Sequence, residues 1–136
     1  MEQLWDITTE TENFLASHNF VQTNGHDGGM HKSYEWANNL ITIGLYYDRG
    51  YFDCNLLPTK EPRNSVPLVI LLRYLNNDIN FYKKELEEAN LWNTLTTSEY
   101  FKLFFLHYDK IKDFFSDYSV DKYNNIQLFF EKKNAL

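Results

Sequence analysis

The chain has 136 residues, of which 43% are hydrophobic and 18% aromatic, and its net charge is −6. These values argue against a disordered chain, which is poor in aromatic residues, and against a nucleic-acid-binding domain, which has a basic surface. They predict one domain over residues 1–136, large enough to bury roughly two-thirds of the surface that its unfolded chain exposes.

The negative charge is concentrated in the N-terminal part of the chain. Residues 1–58 contain eight acidic and two basic residues, a net charge of −6, whereas residues 59–136 contain eleven of each. A surface with this charge attracts basic partners and repels the phosphates of DNA and RNA. The alternative is that the acidic residues only keep the protein soluble.

Three features predict a cytoplasmic protein that does not associate with membranes. Cys54 is the only cysteine, which excludes an intrachain disulfide and suits a reducing compartment. Residues 1–6 lack the basic start and the apolar run of a signal peptide. The longest strongly apolar run, over residues 66–72, is much shorter than the roughly 20 residues of a membrane span.

Residues 2–17 have the periodicity of an amphipathic helix. The following residues favour β-structure and predict four strands, over residues 20–23, 33–37, 40–47 and 51–57. A turn-rich loop is expected at 24–29. Two-residue hairpin turns are expected at 38–39 and 49–50, where Asn and Gly adopt the required backbone conformations.

The two hairpin turns predict which side chains share a face of the sheet. The first pairs Trp36 with Ile41 and the second pairs Leu45 with Cys54. The apolar residues then lie on one face, which we call the inner face: Tyr34, Trp36, Ile41, Ile43, Leu45, Phe52, Cys54 and Leu56. The alternate residues form the outer face: Glu35, Thr42, Gly44, Tyr46, Asp53 and Asn55, with Asp48 and Tyr51 at its hairpin end.

The second half of the chain is predicted to be helical, with helices over 66–76, 82–91 and 96–115. Thr96 and Glu99 have the spacing of a capping box at the start of the third. Residues 120–133 are typical either of a last helix or of a strand at 126–130. The predicted fold is therefore α+β, with an N-terminal helix, a four-stranded antiparallel meander, and three or four helices packed on one sheet face.

The chain contains no recognisable catalytic motif, and we expect neither an enzyme nor a cofactor. Cys54 falls on the inner face, where a thiol is an inert apolar group. His107 falls on the inner stripe of the third helix, as a core or boundary residue. His26 lies in the predicted loop and His31 just after it, without a spacing that aims both at one metal ion, so no metal site is expected.

The outer face has the composition of a protein-binding surface, since it combines tyrosines with carboxylates. The alternative is an ordinary exposed sheet face, where tyrosine is frequent because of its β-propensity. The N-terminal helix is expected to extend this surface if its polar side borders the sheet. The predicted partner-binding residues are Glu35, Tyr46, Asp48, Tyr51, Asp53, Asn55, Trp5, Asp6 and Glu10.

In its acidity, its meander and its helical second half, the chain resembles bacterial immunity proteins, including those of contact-dependent growth inhibition systems. The segments that carry the resemblance are Tyr34-Glu35-Trp36, Ile41-Thr42-Ile43 and Tyr47-Asp48-Arg49-Gly50-Tyr51. The resemblance implies a cytoplasmic inhibitor that binds one toxin domain, often a basic nuclease, and masks its active site. It identifies no individual functional residue.

Two other classes of function stay open. One is a different interaction module, such as a homodimeric adaptor that associates through the surplus aromatic residues of the C-terminal helices. The other is a small ligand-binding domain or enzyme whose site the sequence does not reveal. An internal cavity lined by His107 and tyrosines would favour the second of these alternatives.

Overall fold

The computed structural model describes residues 7–49, 51–89 and 95–134. The elements are α1 (Thr9–Ser17), β1 (Val21–Asp27), β2 (His31–Ala37), β3 (Ile41–Asp48), β4 (Tyr51–Pro58), β5 (Val66–Pro67), α2 (Leu68–Leu75), α3 (Lys83–Ala89), α4 (Thr97–Leu106), α5 (Tyr108–Ser116) and α6 (Val120–Asn134). The strands form one antiparallel sheet in the order β1-β2-β3-β4-β5. The predicted α+β class and the meander are confirmed, with five strands in place of four.

The fifth strand replaces the predicted start of a helix at residue 66. Val66 pairs with Leu56, and Pro67 pairs with Asn55, at the edge of the sheet. The backbone of Pro67 is extended, with φ −61° and ψ 142°, so α2 begins only at Leu68. Proline is tolerated on this edge strand because its missing N–H interrupts no hydrogen-bond ladder between central strands.

Helix α1 begins later than the prediction of residue 2. The Thr8 Oγ1 atom accepts a hydrogen bond from the backbone N–H of Thr11 at 3.1 Å and caps the first turn, so Ile7 and Thr8 are not helical. The remaining residues of the predicted helix, 2–6, lie outside the described part of the chain.

Strand β1 extends through most of the predicted loop. It runs to Asp27 with a β-bulge between Gln22 and Asn24, and the turn is limited to residues 28–30. An ion pair of 2.7 Å between Asp27 and Lys32 joins the two strands just before that turn. Cross-strand pairing thus overrides the turn propensity of Asn24 and Gly25.

The first predicted hairpin register is wrong by two residues. Trp36 pairs with Ile43 rather than Ile41, and the turn consists of residues 39–40. The cause is Asn38, whose side-chain oxygen accepts hydrogen bonds of 2.9 Å from the backbone N–H groups of Leu40 and Ile41. Because the shift is an even number of residues, the predicted faces are preserved. The second hairpin has the predicted register, including the pairing of Leu45 with Cys54.

The helical half contains five helices in the described residues, more than the predicted three or four. The predicted third helix is divided into α4 and α5 at His107, whose φ of −108° and ψ of 16° depart from helical values. The predicted capping box of Thr96 and Glu99 is present. Residues 120–133 lie within the helix α6, which settles the ambiguity against a strand.

The core lies between the inner face and the helices. Ile41, Ile43 and Leu56 are fully buried, and Trp36 contacts Phe101 of α4 edge-on at 5.6 Å. The Tyr100 hydroxyl donates a hydrogen bond to the carbonyl of Phe52 on β4, at 3.4 Å. The predicted packing of helices on one sheet face is therefore confirmed. No helix within the described ranges is both long enough and apolar enough to span a bilayer.

Candidate functional site: the outer face of the sheet

The outer face brings together residues from three neighbouring strands. Tyr46 pairs with Asp53, while Gly44 lies between Glu35 on one side and Asn55 on the other. Direct cross-strand neighbours have Cβ atoms about 5 Å apart. The predicted residues of β2, β3 and β4 therefore form one continuous surface.

The Tyr46 side chain lies flat over Gly44 and organises the centre of this surface. A Cβ atom added at Gly44 would lie 2.6 Å from the Tyr46 hydroxyl oxygen, so only glycine leaves room for the ring in this position. The hydroxyl donates a hydrogen bond of 3.3 Å to Oε2 of Glu35. Burial, and secondarily the negative charge of Glu35, raises the pKa of Tyr46. The tyrosine stays protonated and holds the Glu35 carboxylate in place.

Asp53 lies beside the tyrosine and is half-buried. The Asn55 side-chain amide donates a hydrogen bond of 3.4 Å to Oδ2 of Asp53. Burial raises the pKa of the Asp53 carboxyl above its ordinary value of 3.8, opposed by that hydrogen bond. Burial thus penalises the charged carboxylate, and a nearby cation would stabilise that charged form.

The acidic residues at the hairpin end differ from those at the centre. Asp48 lies 3.0 Å from Nδ1 of His31 and 3.8 Å from Nε of Arg49. Within the described residues, neither Glu35 nor Asp53 has a basic partner at ion-pair distance. Tyr51, next to this end, is 46% exposed. The centre of the face thus holds uncompensated negative charge beside accessible tyrosine surface.

The opposite end of the outer face is closed. Thr42 is buried, and its hydroxyl lies 3.0 Å from that of Thr59. Thr59 in turn donates a hydrogen bond of 2.9 Å to the carbonyl of Asn38. Thr42 and Gly44, although they face outward as predicted, are therefore covered by neighbouring side chains, and the accessible surface extends from Tyr46 towards the hairpin end.

The N-terminal helix was expected to extend the outer face through Glu10, but Glu10 does not border this face. Glu10 is exposed on α1, which packs on α4 through the stacked rings of Phe14 and Phe105, 3.9 Å apart. This places α1 in the helical layer, on the other side of the sheet from the outer face. Trp5 and Asp6 lie outside the described residues.

His26 and His31 lie on the outer face of the sheet. The sequence had instead predicted a loop at His26 and no strand at His31. Antiparallel pairing of His26 with Ser33 places it on this face, and His31 lies two residues before Ser33 on the same strand. The signal that could have located them is the alternation of residues 31–37, which continues back from the predicted strand to His31. Among the described residues, no three His, Cys, Asp or Glu side chains converge as a metal-binding group.

The candidate catalytic residues lie away from this face. Cys54 is 3% exposed within the core, as predicted, and burial raises the pKa of its thiol. His107 is partly buried at the junction of α4 and α5, where burial lowers the pKa of its imidazole. It lines an open surface groove of about 640 Å³ with Tyr82, Leu103 and Leu106. This groove is open to solvent, and it is therefore not the internal cavity that would favour the ligand-binding alternative.

The aromatic residues of the C-terminal helices are used within the monomer. Phe101, Phe104 and Tyr108 are buried, and Phe105 is partly covered by Phe14. Every described aromatic side chain on α4, α5 and α6 is buried or partly buried. The described residues of these helices therefore present no exposed aromatic face to the homodimer that was left open as an alternative.

Comparisons with protein-family models, with curated proteins and with solved structures found no match to this chain.

Proposed function

We propose that this chain is a non-catalytic binding protein of the toxin-immunity type, which captures a basic protein domain on the outer face of its sheet. The observation that carries the proposal is the pair of carboxylates Glu35 and Asp53, which flank Tyr46 without a basic partner among the described residues. A cationic side chain of a partner would compensate both.

The distribution of charge supports this proposal. The surplus of −6 is carried by residues 1–58, which include all four long strands. Complementary charge mainly accelerates encounter and excludes wrong partners, while buried anchors control dissociation. In the proposed interface the carboxylates direct the approach of the partner, and Tyr46 and Tyr51 supply the contact area.

The preorganisation of the centre also favours binding. Tyr46 is held against Gly44 and hydrogen-bonded to Glu35, so little side-chain freedom is lost when a partner docks. Tyrosine provides a large contact area with few rotatable bonds, which is why it is enriched among the residues that dominate binding energy.

The test is to coexpress the chain with the protein encoded by the neighbouring gene and to measure growth rescue and complex formation. In the Glu35→Gln, Asp53→Asn double variant we expect each lost charge to weaken binding by about 2 kcal/mol, or roughly 30-fold in Kd. The association rate of the native chain should fall steeply as salt rises, and that of the double variant should fall less.

The matched control is the Glu87→Gln, Glu88→Gln double variant, which removes the same charge from exposed positions on α3. Rescue and affinity should be unchanged in this variant. Equal losses in the two variants would mean that net charge, and not the outer face, governs the interaction. Full retention in both would move the interface to another surface.

A further inference from the structure

Strand β1 forms an exposed edge of the sheet in the described part of the chain. All seven residues of Val21–Asp27 are exposed, and β1 is the terminal strand of the sheet in the described residues. Natural edge strands are usually protected by Lys, Pro, bulges or a covering element. β1 contains neither Lys nor Pro, and its bulge lies between Gln22 and Asn24, which leaves residues 24–27 regular.

The hydrogen-bond pattern identifies the backbone groups at this edge. The N–H of Gly28 donates to the carbonyl of His31 at 2.8 Å, in register with the β1–β2 ladder. Hydrogen-bonded pairs alternate with non-bonded pairs in an antiparallel ladder. His26 therefore directs its N–H and C=O towards β2, whereas Gly25 and Asp27 direct theirs towards the open edge.

We propose that this edge pairs with the same edge of a second copy of the chain, in antiparallel orientation about a two-fold axis at His26. In this register Gly25 of each copy lies opposite Asp27 of the other. The backbone N–H and C=O groups that point away from β2 in one copy then face those of the other copy. Each such pair exchanges two hydrogen bonds. The two five-stranded sheets become continuous, and their outer faces lie side by side.

Local charge and sterics permit this pairing. The Asp27 carboxylate is paired with Lys32 at 2.7 Å, so this residue adds no unpaired charge at the edge. Opposite Asp27 lies Gly25, which has no side chain of its own and is covered by the side chains of Gln22 and Tyr34. The two Glu35 residues would be separated by three strand spacings across the sheet and by four residues along it, about 20 Å in all, which exceeds the screening length of about 8 Å at physiological salt.

Cysteine cross-linking tests the register. The two His26 residues would form a non-bonded pair with Cα atoms about 4.5 Å apart, within the range of a disulfide. We expect His26→Cys to give a disulfide-linked dimer under mild oxidation. Asn24→Cys is the matched control, because it lies on the same strand and face, yet its two copies would be about 14 Å apart. The buried Cys54 is present in both variants.

Sedimentation of the native chain from micromolar to millimolar concentration provides the second measurement, with a reversible monomer–dimer equilibrium as the expected result. A dimer together with selective cross-linking at His26 supports the proposal. Equal cross-linking at Asn24, or a dimer that does not cross-link at His26, overturns it. If the native chain is a monomer at every concentration, the proposal is also wrong, even when His26→Cys cross-links selectively. The edge would then be available to pair with a strand of another protein. None of these outcomes depends on whether the outer face binds a toxin domain.

Discussion

On β4, Cys54 and Leu56 point towards the helices and are 3% and 0% exposed, whereas the intervening Asp53 and Asn55 point away and stay half-buried. The same backbone thus supports a sealed apolar face and an open acidic face. The inner face holds the sheet to the helices, so its residues are constrained by packing. The carboxylates at the centre of the outer face form no ion pair within the described residues, so stability alone does not account for them.

The largest expected difference between the faces is in thiol reactivity. Cys54 should react with Ellman's reagent only when the protein opens, at least roughly five-thousandfold more slowly than in the unfolded chain, because native stability is about 5 kcal/mol or more. In Asn55→Cys, the added thiol on the opposite face should react at once. Stopped-flow absorbance measures both rates. Rapid labelling of the native protein would contradict the burial of Cys54.

Truncation of the inner face should cost more stability than truncation of the outer face. Leu56→Ala should lower the free energy of unfolding by about 2–5 kcal/mol, because it leaves a cavity in the core. Asn55→Ala should lower it by no more than about 1 kcal/mol. Urea denaturation monitored by circular dichroism measures both values, and similar losses would show that the outer face is as tightly packed as the core.

The contact of Tyr46 with Gly44 can be tested by a double-mutant cycle. Gly44→Ala should destabilise the fold by about 1–3 kcal/mol, because the added methyl group displaces the ring. In a Tyr46→Ala background the same substitution should be neutral or slightly stabilising, since alanine restricts the unfolded chain more than glycine does. Equal costs in the two backgrounds would mean that the ring does not occupy the space above Gly44.

The smallest expected effect is the pH dependence at Asp53. Because burial raises its pKa in the folded state, its ionised form opposes folding at neutral pH. This opposition is lost as the pH falls through the folded-state pKa to below 3.8. Asp53→Asn should therefore stabilise the fold at neutral pH, by less than about 1 kcal/mol after solvent screening, and have no effect at the acidic end.

Urea denaturation across this pH range measures the effect, with the exposed Glu88→Gln as the control. A stabilisation that grows on acidification would have the wrong sign and would contradict the proposed burial of the Asp53 carboxylate.

Local patterns were sufficient to predict the meander and the two faces of the sheet, including which residues of β3 and β4 lie on the outer face. The alternation of Ile41, Ile43 and Leu45 identifies the inner face in any register shifted by an even number of residues. The same patterns could not locate the turn after Asn38, because its side-chain hydrogen bonds move the turn by one residue and the pairing by two. They also missed the break at His107, where no Gly or Pro marks the end of α4.

The sequence by itself determined the negative charge of residues 1–58 and which strand residues share the outer face, since the first depends on composition and the second on a period of two. Only the tertiary structure decided that Glu10 lies in the helical layer, that Tyr46 covers Gly44, and that β1 presents an open edge. These features depend on how elements distant in sequence pack. No local period encodes that packing, and it therefore emerges only when the chain is folded.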